Sequence, residues 1–137
     1  MIVKEGSRET VSDSKSVFKI MNPIFEGRPD GERHKEYFYI MGLDSQNRVL
    51  VIDLISFGTV NQCTAYIREI MRTAIIKNCA SIICVHNHPS GNIQPSKEDI
   101  AFSMKIKKAC DLFELVLTDH VIIADNRFFS MKDERVI

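Results

Sequence analysis

Two imidazoles and a carboxylate stand close together in one polar turn of this sequence: His86-Asn87-His88-Pro89-Ser90-Gly91, then Pro95-Ser96 and Asp99. Nitrogen and oxygen donors of these types hold divalent metal ions. The segment before the turn, Ala80-Ser81-Ile82-Ile83-Cys84-Val85, is short, mostly apolar and contains β-branched residues, which predicts a buried strand delivering both histidines to its end. Side chains alternate faces along a strand, so histidines spaced by one residue project from the same side. Their Cα atoms then lie roughly 6.6 Å apart at about 3.3 Å per residue. Two imidazoles can close that gap around one ion with bonds of about 2.0 Å each.

Asp99 needs a separate argument, because Ser96-Lys97-Glu98-Asp99 also reads as a helix start in which Ser96 caps and Asp99 returns the hydrogen bond. Phe102, Ile106, Ala109, Cys110 and Phe113 fall on one face of that helix as its core stripe, and one step of three residues back from Phe102 lands on Asp99. A carboxylate turned toward the core at a helix start is costly unless something positive meets it, and a cation held by the two histidines would do so. Capping and ligation are compatible, with Ser96 as cap and Asp99 as ligand.

The elements that must position these groups follow from periodicity. Residues 1–12 are polar and are expected to fray; Val17, Ile20 and Met21 after Ser12-Asp13-Ser14 predict a short helix that Pro23 ends. Gly27-Arg28-Pro29-Asp30-Gly31 is the strongest breaker cluster. Beyond it, Glu36–Met41 and Val49–Leu54 are strand-like and joined by polar residues 44–48, which predicts a hairpin; both strands are apolar on both faces, so helices should cover the sheet on each side. An amphipathic helix over roughly 60–77 has the stripe Val60, Cys63, Ile67, Ile70, Met71 and Ala74. After the histidine strand and the Asp99 helix come two last strands, Val116–Ala124 and Arg127–Met131, with Asp125-Asn126 as their turn. A mixed sheet with helices packed against it satisfies this order.

Composition narrows the function classes. A chain of 137 residues with 45% hydrophobic content suits one domain with a proper core. Eighteen basic residues balance eighteen acidic ones, and neither sign forms a long block, which argues against autonomous nucleic-acid binding and against a polybasic membrane patch. Lys105, Lys107 and Lys108 lie on or beside the solvent face of a helix. The four cysteines, Cys63, Cys79, Cys84 and Cys110, show no Cys-x-x-Cys pair and sit in apolar segments as free thiols, which implies a reducing compartment. No secretory signal or membrane-spanning run is present, so a cytoplasmic location is expected.

The spacing His86-x-His88-Pro89, six residues, then Ser96-x-x-Asp99 resembles the JAMM motif of JAB/MPN-domain metalloproteases. Arg68-Glu69-Ile70, His86-Asn87-His88-Pro89-Ser90-Gly91, Pro95-Ser96 and Asp119-His120-Val121-Ile122-Ile123 together resemble the JAB domain of the RadC family, over roughly residues 34–137. The resemblance implies a three-layer α/β fold akin to that of cytidine deaminases, a mixed sheet flanked by helices. Residues 1–33 would be an N-terminal extension with a short helix and 34–137 the JAB/MPN domain. The helix-hairpin-helix segment of many RadC proteins has no counterpart, so the chain resembles a single-domain or truncated member. The resemblance further implies zinc on His86, His88 and Asp99 with a water in the fourth position. Glu36 is the matched acid-base group acting on that water, and Ser96 the serine that helps stabilise the oxyanion.

Three protein ligands with one open position suit catalytic zinc, whereas structural zinc sites close with four. The expected activity is therefore hydrolysis, with a peptide or isopeptide amide of a protein or peptide substrate as the class the resemblance favours. Plainer roles compete for single residues: Glu36 as a charged strand start, Ser96 as a helix cap alone, Cys84 as a packed thiol although its strand parity with His86 would also let it line the site, His120 as a cap on the sheet or a neighbour of the site, His34 as an exposed loop residue. Whole-protein alternatives are a DNA-repair-associated role, as the family's name suggests, and a metal-stabilised binding module without protease activity. A two-histidine, one-carboxylate iron site has the same ligand types. A zinc deaminase would need His-x-Glu and Pro-Cys-x-x-Cys, and neither occurs.

Overall fold

The computed structural model describes the backbone of residues 1–58 and 63–137, and the side chains of these residues except 63–65. Among the described residues, six strands form one sheet: β1 (Ile2–Glu5), β2 (Glu36–Leu43), β3 (Val49–Gly58), β4 (Ser81–Asn87), β5 (Val116–Ala124) and β6 (Arg127–Ser130), in the spatial order β1-β3-β2-β4-β5-β6. The helices are α1 (Ser14–Glu26), α2 (Cys63–Ile76) and α3 (Lys97–Leu112), with a short 3₁₀ turn at Asp30–Glu32. Every neighbouring pair is antiparallel except β4 and β5, which run parallel and are joined across α3.

Alternation along the central strands sorts the apolar side chains onto two faces. Tyr37, Tyr39, Met41, Ile83, Val85, Val121 and Ile123 pack with Val17 and Met21 of α1. Phe38, Ile40, Ile82 and Cys84 pack on the opposite face with Ile70, Met71 and Ala74 of α2 and with Phe102, Ile106 and Cys110 of α3. The result is a three-layer α/β sandwich with a mixed sheet in the middle, consistent with the JAB/MPN fold. The β2–β3 hairpin, the two C-terminal strands and the Asp125-Asn126 turn stand as expected; both turn residues have positive φ, 48° and 58°, as a two-residue hairpin of this hand requires.

Several sequence expectations need correction. Residues 2–5 are not frayed: β1 pairs with β3 at the sheet edge, where an exposed strand tolerates polar side chains because one of its sides is open to water. α1 does not stop at Pro23 but runs to Glu26, since Ile24 and Phe25 beyond the proline pack against the core and offset its lost hydrogen bond. Its cap is Asp13, which accepts from the Ser16 N–H while the Ser16 hydroxyl bonds back to Asp13. Phe113 leaves the α3 stripe, because the helix ends at Leu112 and Phe113 is 56% exposed. Val60 of the α2 stripe lies outside the described residues, as does the Cys63 side chain. Residues 1–33 contribute β1 to the common sheet and α1 to its core.

Candidate metal centre

The site forms where β4 leaves the sheet and α3 begins, at the carboxyl end of the parallel strand pair, which is where open α/β sheets leave a crevice. His86 is the last fully buried residue of β4, on the face shared with Cys84, and its ring stacks on Phe38 at 5.9 Å between centroids and 15° between planes. His88 lies one residue past the strand, yet its N–H still donates to the Ile123 carbonyl at 3.1 Å, so the β4–β5 ladder carries it. The chain then turns sharply. Gly91 N–H donates to the His88 carbonyl at 3.1 Å, and Gly91 takes φ 89°, a conformation that side chains other than hydrogen rarely adopt.

The chain returns to the histidines through the first turn of α3. Ser96 caps this helix: its Oγ accepts from the Asp99 N–H at 3.0 Å, and Asp99 Oδ2 accepts from the Ser96 N–H at 2.9 Å. The reciprocal box turns the carboxylate toward the histidines, so capping and metal presentation use the same rotamer.

The three side chains meet. His86 Nε2 and His88 Nε2 are 3.1 Å apart, His88 Nε2 is 3.1 Å from Asp99 Oδ2, and His86 Nε2 is 3.4 Å from Asp99 Oδ1. Ligand atoms bonded at about 2.0–2.1 Å in a tetrahedral centre lie about 3.3 Å from one another, so these separations fit a single ion. His88 Nδ1 lies 2.7 Å from the Asn92 carbonyl, which can only accept, so that nitrogen carries the proton and Nε2 offers its lone pair to the site. The donor set can therefore hold a metal ion. The three groups also bear on one another's charge. Burial pushes the Asp99 carboxyl up, but the hydrogen bonds and charges of His86 and His88 and the Ser96 N–H outweigh it and hold the group well below the usual carboxylate range. The Asp99 carboxylate in turn raises His88, against its partial burial, with the Asn92 carbonyl and the charge of Glu36 adding to it.

An open cleft of about 760 Å³ exposes this cluster, and Glu36, His88, Ser96 and Asp99 line it together. Glu36 opens β2, paired with Gly58, and is half-buried on the cleft wall. His34, for which the sequence offered only exposure, sits at the rim. A second cavity of about 280 Å³ adjoins His88 and Pro89 on the side of Phe25, Arg28, Tyr37 and Asn87. Cys84 does not line the cleft; it is fully buried in the core, and burial, with the nearby Cys110 and Asp119, pushes its thiol well above the ordinary value.

Two residues acquire roles that sequence reading did not assign. Asn87, between the histidines, points to the other side and clips the start of β2: its Oδ1 accepts from the Tyr37 N–H at 2.7 Å, and its Nδ2 donates to the Lys35 carbonyl at 3.0 Å. The tether holds the residues on either side of Glu36 just where the β2–β4 ladder, which ends at the Phe38–His86 pair, runs out. His120, left open between the site and the sheet, is buried beside His86, with its Nε2 2.7 Å from His86 Nδ1 and its Nδ1 against the Ser103 hydroxyl. Burial, reinforced by the neighbouring His86, holds His120 well below the usual histidine range. The available signal was a polar run, Thr118-Asp119-His120, inside a mostly apolar strand; Asp119 is consumed by the Ser130 hydroxyl and the Lys132 N–H.

The model of the RadC-like JAB domain matches residues 11–136. The chain belongs to that family. Three curated relatives of this RadC-like JAB domain carry the name UPF0758 protein. One from Actinobacillus pleuropneumoniae is 43% identical over 101 residues, 74% of this chain and 46% of the relative. Another from Methanosarcina mazei is 36% identical over 130 residues, 95% of this chain and 55% of the relative. A third, from Streptococcus agalactiae, is 38% identical over 104 residues, 76% and 46% of the two chains. The chain thus spans about half the length of the curated relatives it matches. Among the described residues, no helix is long and apolar enough to cross a membrane.

Proposed function

We propose that this domain is a zinc-dependent hydrolase of the JAMM type that cleaves a peptide or isopeptide amide. The observation that carries the reading is a three-ligand centre of nitrogen and oxygen donors, open to a cleft that also presents a carboxylate, Glu36. His86, His88 and Asp99 would hold the zinc, which when bound would supply an acidified water and a Lewis acid for the scissile carbonyl. Glu36 accepts the proton of the attacking water and passes it to the leaving amine, a task for which its half-buried place on the cleft wall is suited. The Ser96 hydroxyl already accepts from the Asp99 N–H, which leaves its own proton to donate to the developing oxyanion. The cavities on either side of His88 and Pro89 give room for chain on both sides of the scissile amide. A protein or peptide is the substrate in this reading, and the free, buried Cys79, Cys84 and Cys110 suit a reducing, cytoplasmic setting.

The test is hydrolysis of peptide and isopeptide-linked substrates by the zinc-loaded protein beside Glu36→Gln and a chelated control. Turnover that both controls abolish is expected. A protein that holds one zinc per chain yet shows no turnover on either substrate class would overturn the hydrolase reading in favour of a metal-stabilised binding module.

A further inference from the structure

Three side chains and one backbone carbonyl form a hydrogen-bonded chain behind the position a metal would take. His86 Nδ1 meets His120 Nε2 at 2.7 Å, His120 Nδ1 meets the Ser103 hydroxyl, and Ser103 Oγ donates to the Asp99 carbonyl at 2.9 Å. Asp99 Oδ1 lies 3.4 Å from His86 Nε2 and Asp99 Oδ2 3.1 Å from His88 Nε2, separations that a shared ion would bridge. His86, His120 and Ser103 are each no more than 1% exposed, so water does not compete for these bonds. Phe38 packs against both rings, face to face on His86 and edge-on to His120 at 5.5 Å between centroids.

The direction of every bond follows once His86 Nε2 is a ligand. A ligating nitrogen spends its lone pair on the metal, so the one proton of a neutral His86 ring sits on Nδ1 and is donated to His120 Nε2. His120 then carries its own proton on Nδ1 and donates it to Ser103 Oγ. The serine, having accepted there, has its proton left for the Asp99 carbonyl, which has no proton to give. A single tautomer of each ring satisfies all partners, and reversing any one bond leaves two donors or two acceptors facing each other in a buried place.

We propose that His120, anchored by Ser103, is a positioning residue that locks ligand His86 in its Nδ1-protonated tautomer and ties the β4 ligand to the helix carrying Asp99. The proposal rests on the metal reading above but not on the hydrolase activity. Removing the acceptor at position 120 frees the His86 ring to flip and to protonate at the nitrogen the metal needs. Loss of such a partner weakens metal binding by about 10- to 100-fold.

The experiment uses the full chain loaded with zinc. Long-range proton–nitrogen correlation spectra of the imidazoles should show both His86 and His120 protonated on Nδ1. Chelator competition should show zinc affinity about 10- to 100-fold weaker in His120→Phe. In His120→Gln, whose carbonyl oxygen still accepts from His86, most of that loss should be recovered although both variants melt alike. Ser103→Ala should weaken zinc less than His120→Phe. If the phenylalanine variant fails to fold, the parent spectra and the other two variants decide. Parent affinity retained in His120→Phe, or a His120 proton on Nε2 in the zinc form, would overturn the relay and leave the metal centre standing. A parent that binds no zinc overturns both. Tight zinc with the expected tautomers and no amide hydrolysis supports the relay and removes only the hydrolase.

Discussion

Replacing Asn87 by alanine should loosen the start of β2 while leaving all three metal ligands untouched. Its side chain makes two bonds to the backbone of the neighbouring strand, from the Tyr37 N–H at 2.7 Å and to the Lys35 carbonyl at 3.0 Å. Each is worth about 0.5–1.5 kcal/mol net, so the pair holds this corner by about 1–3 kcal/mol. At about 1.4 kcal/mol per factor of ten, the open population of residues 35–37 should rise about 5- to 150-fold. The Tyr37 amide reports the effect directly, because its proton is given to Asn87 itself. Native-state hydrogen exchange followed by NMR should therefore show Tyr37 losing protection by that factor, while Ile40 and Met41 in the buried middle of β2 keep theirs. Zinc content should match the parent, and amide hydrolysis should fall, since Glu36 sits between the two tethered residues. Asn87→Asp, which can accept from Tyr37 but cannot donate to Lys35, should lie between the two. Unchanged Tyr37 exchange in the alanine variant, or protection lost evenly across the sheet, would refute the clip.

Further outcomes follow from the same geometry. Asp99→Asn keeps an oxygen that can accept from the Ser96 N–H, so α3 should start normally and the melting temperature should change little, while bound zinc falls at least tenfold on the order of a lost charged ligand; metal analysis beside thermal melts checks this. Burial pushes the thiols of Cys79 and Cys110 up to about 11 and raises that of Cys84 well above the ordinary value; all three are neutral at pH 8, and alkylation mapped by mass spectrometry should leave them unlabelled until denaturant is added. Labelling of native Cys84 would contradict its placement. Gly42→Ala brings a methyl group closer than van der Waals contact to Cys79 Sγ and to 2.9 Å from Val51 Cγ1, which should cost about 1–3 kcal/mol and several degrees of melting temperature. Adding Cys79→Ala should recover much of the loss.

The donor triad was legible because its three residues are close in sequence and their elements have strict periods. A period of two puts His86 and His88 on one side, and a helix start with its cap puts Asp99 at the near end of the stripe through Phe102 and Ile106. The alternation of β2 likewise announced a sheet covered on both faces, as the two apolar clusters show. Where local signals misled, tertiary packing outweighed them. Pro23 stops an isolated helix, but Ile24 and Phe25 gain more by burial than the proline loses; Ile2-Val3-Lys4-Glu5, in a mostly polar terminal stretch, form a strand because β3 offers them an unpaired edge.

The chain by itself thus determined which atoms can bind a metal, since ligand type and short-range spacing are local properties of a strand and a helix start. Only the tertiary structure decided what surrounds them. The sheet order β2-β4-β5 brings Glu36 to the cleft, with its neighbour Tyr37 bound to Asn87 50 residues on, and brings His120 to His86 across 34 residues, and no local period encodes that pairing. The reason is physical: a strand's face is set by its own alternation, but its neighbour is chosen by the burial and hydrogen bonding of the whole sheet.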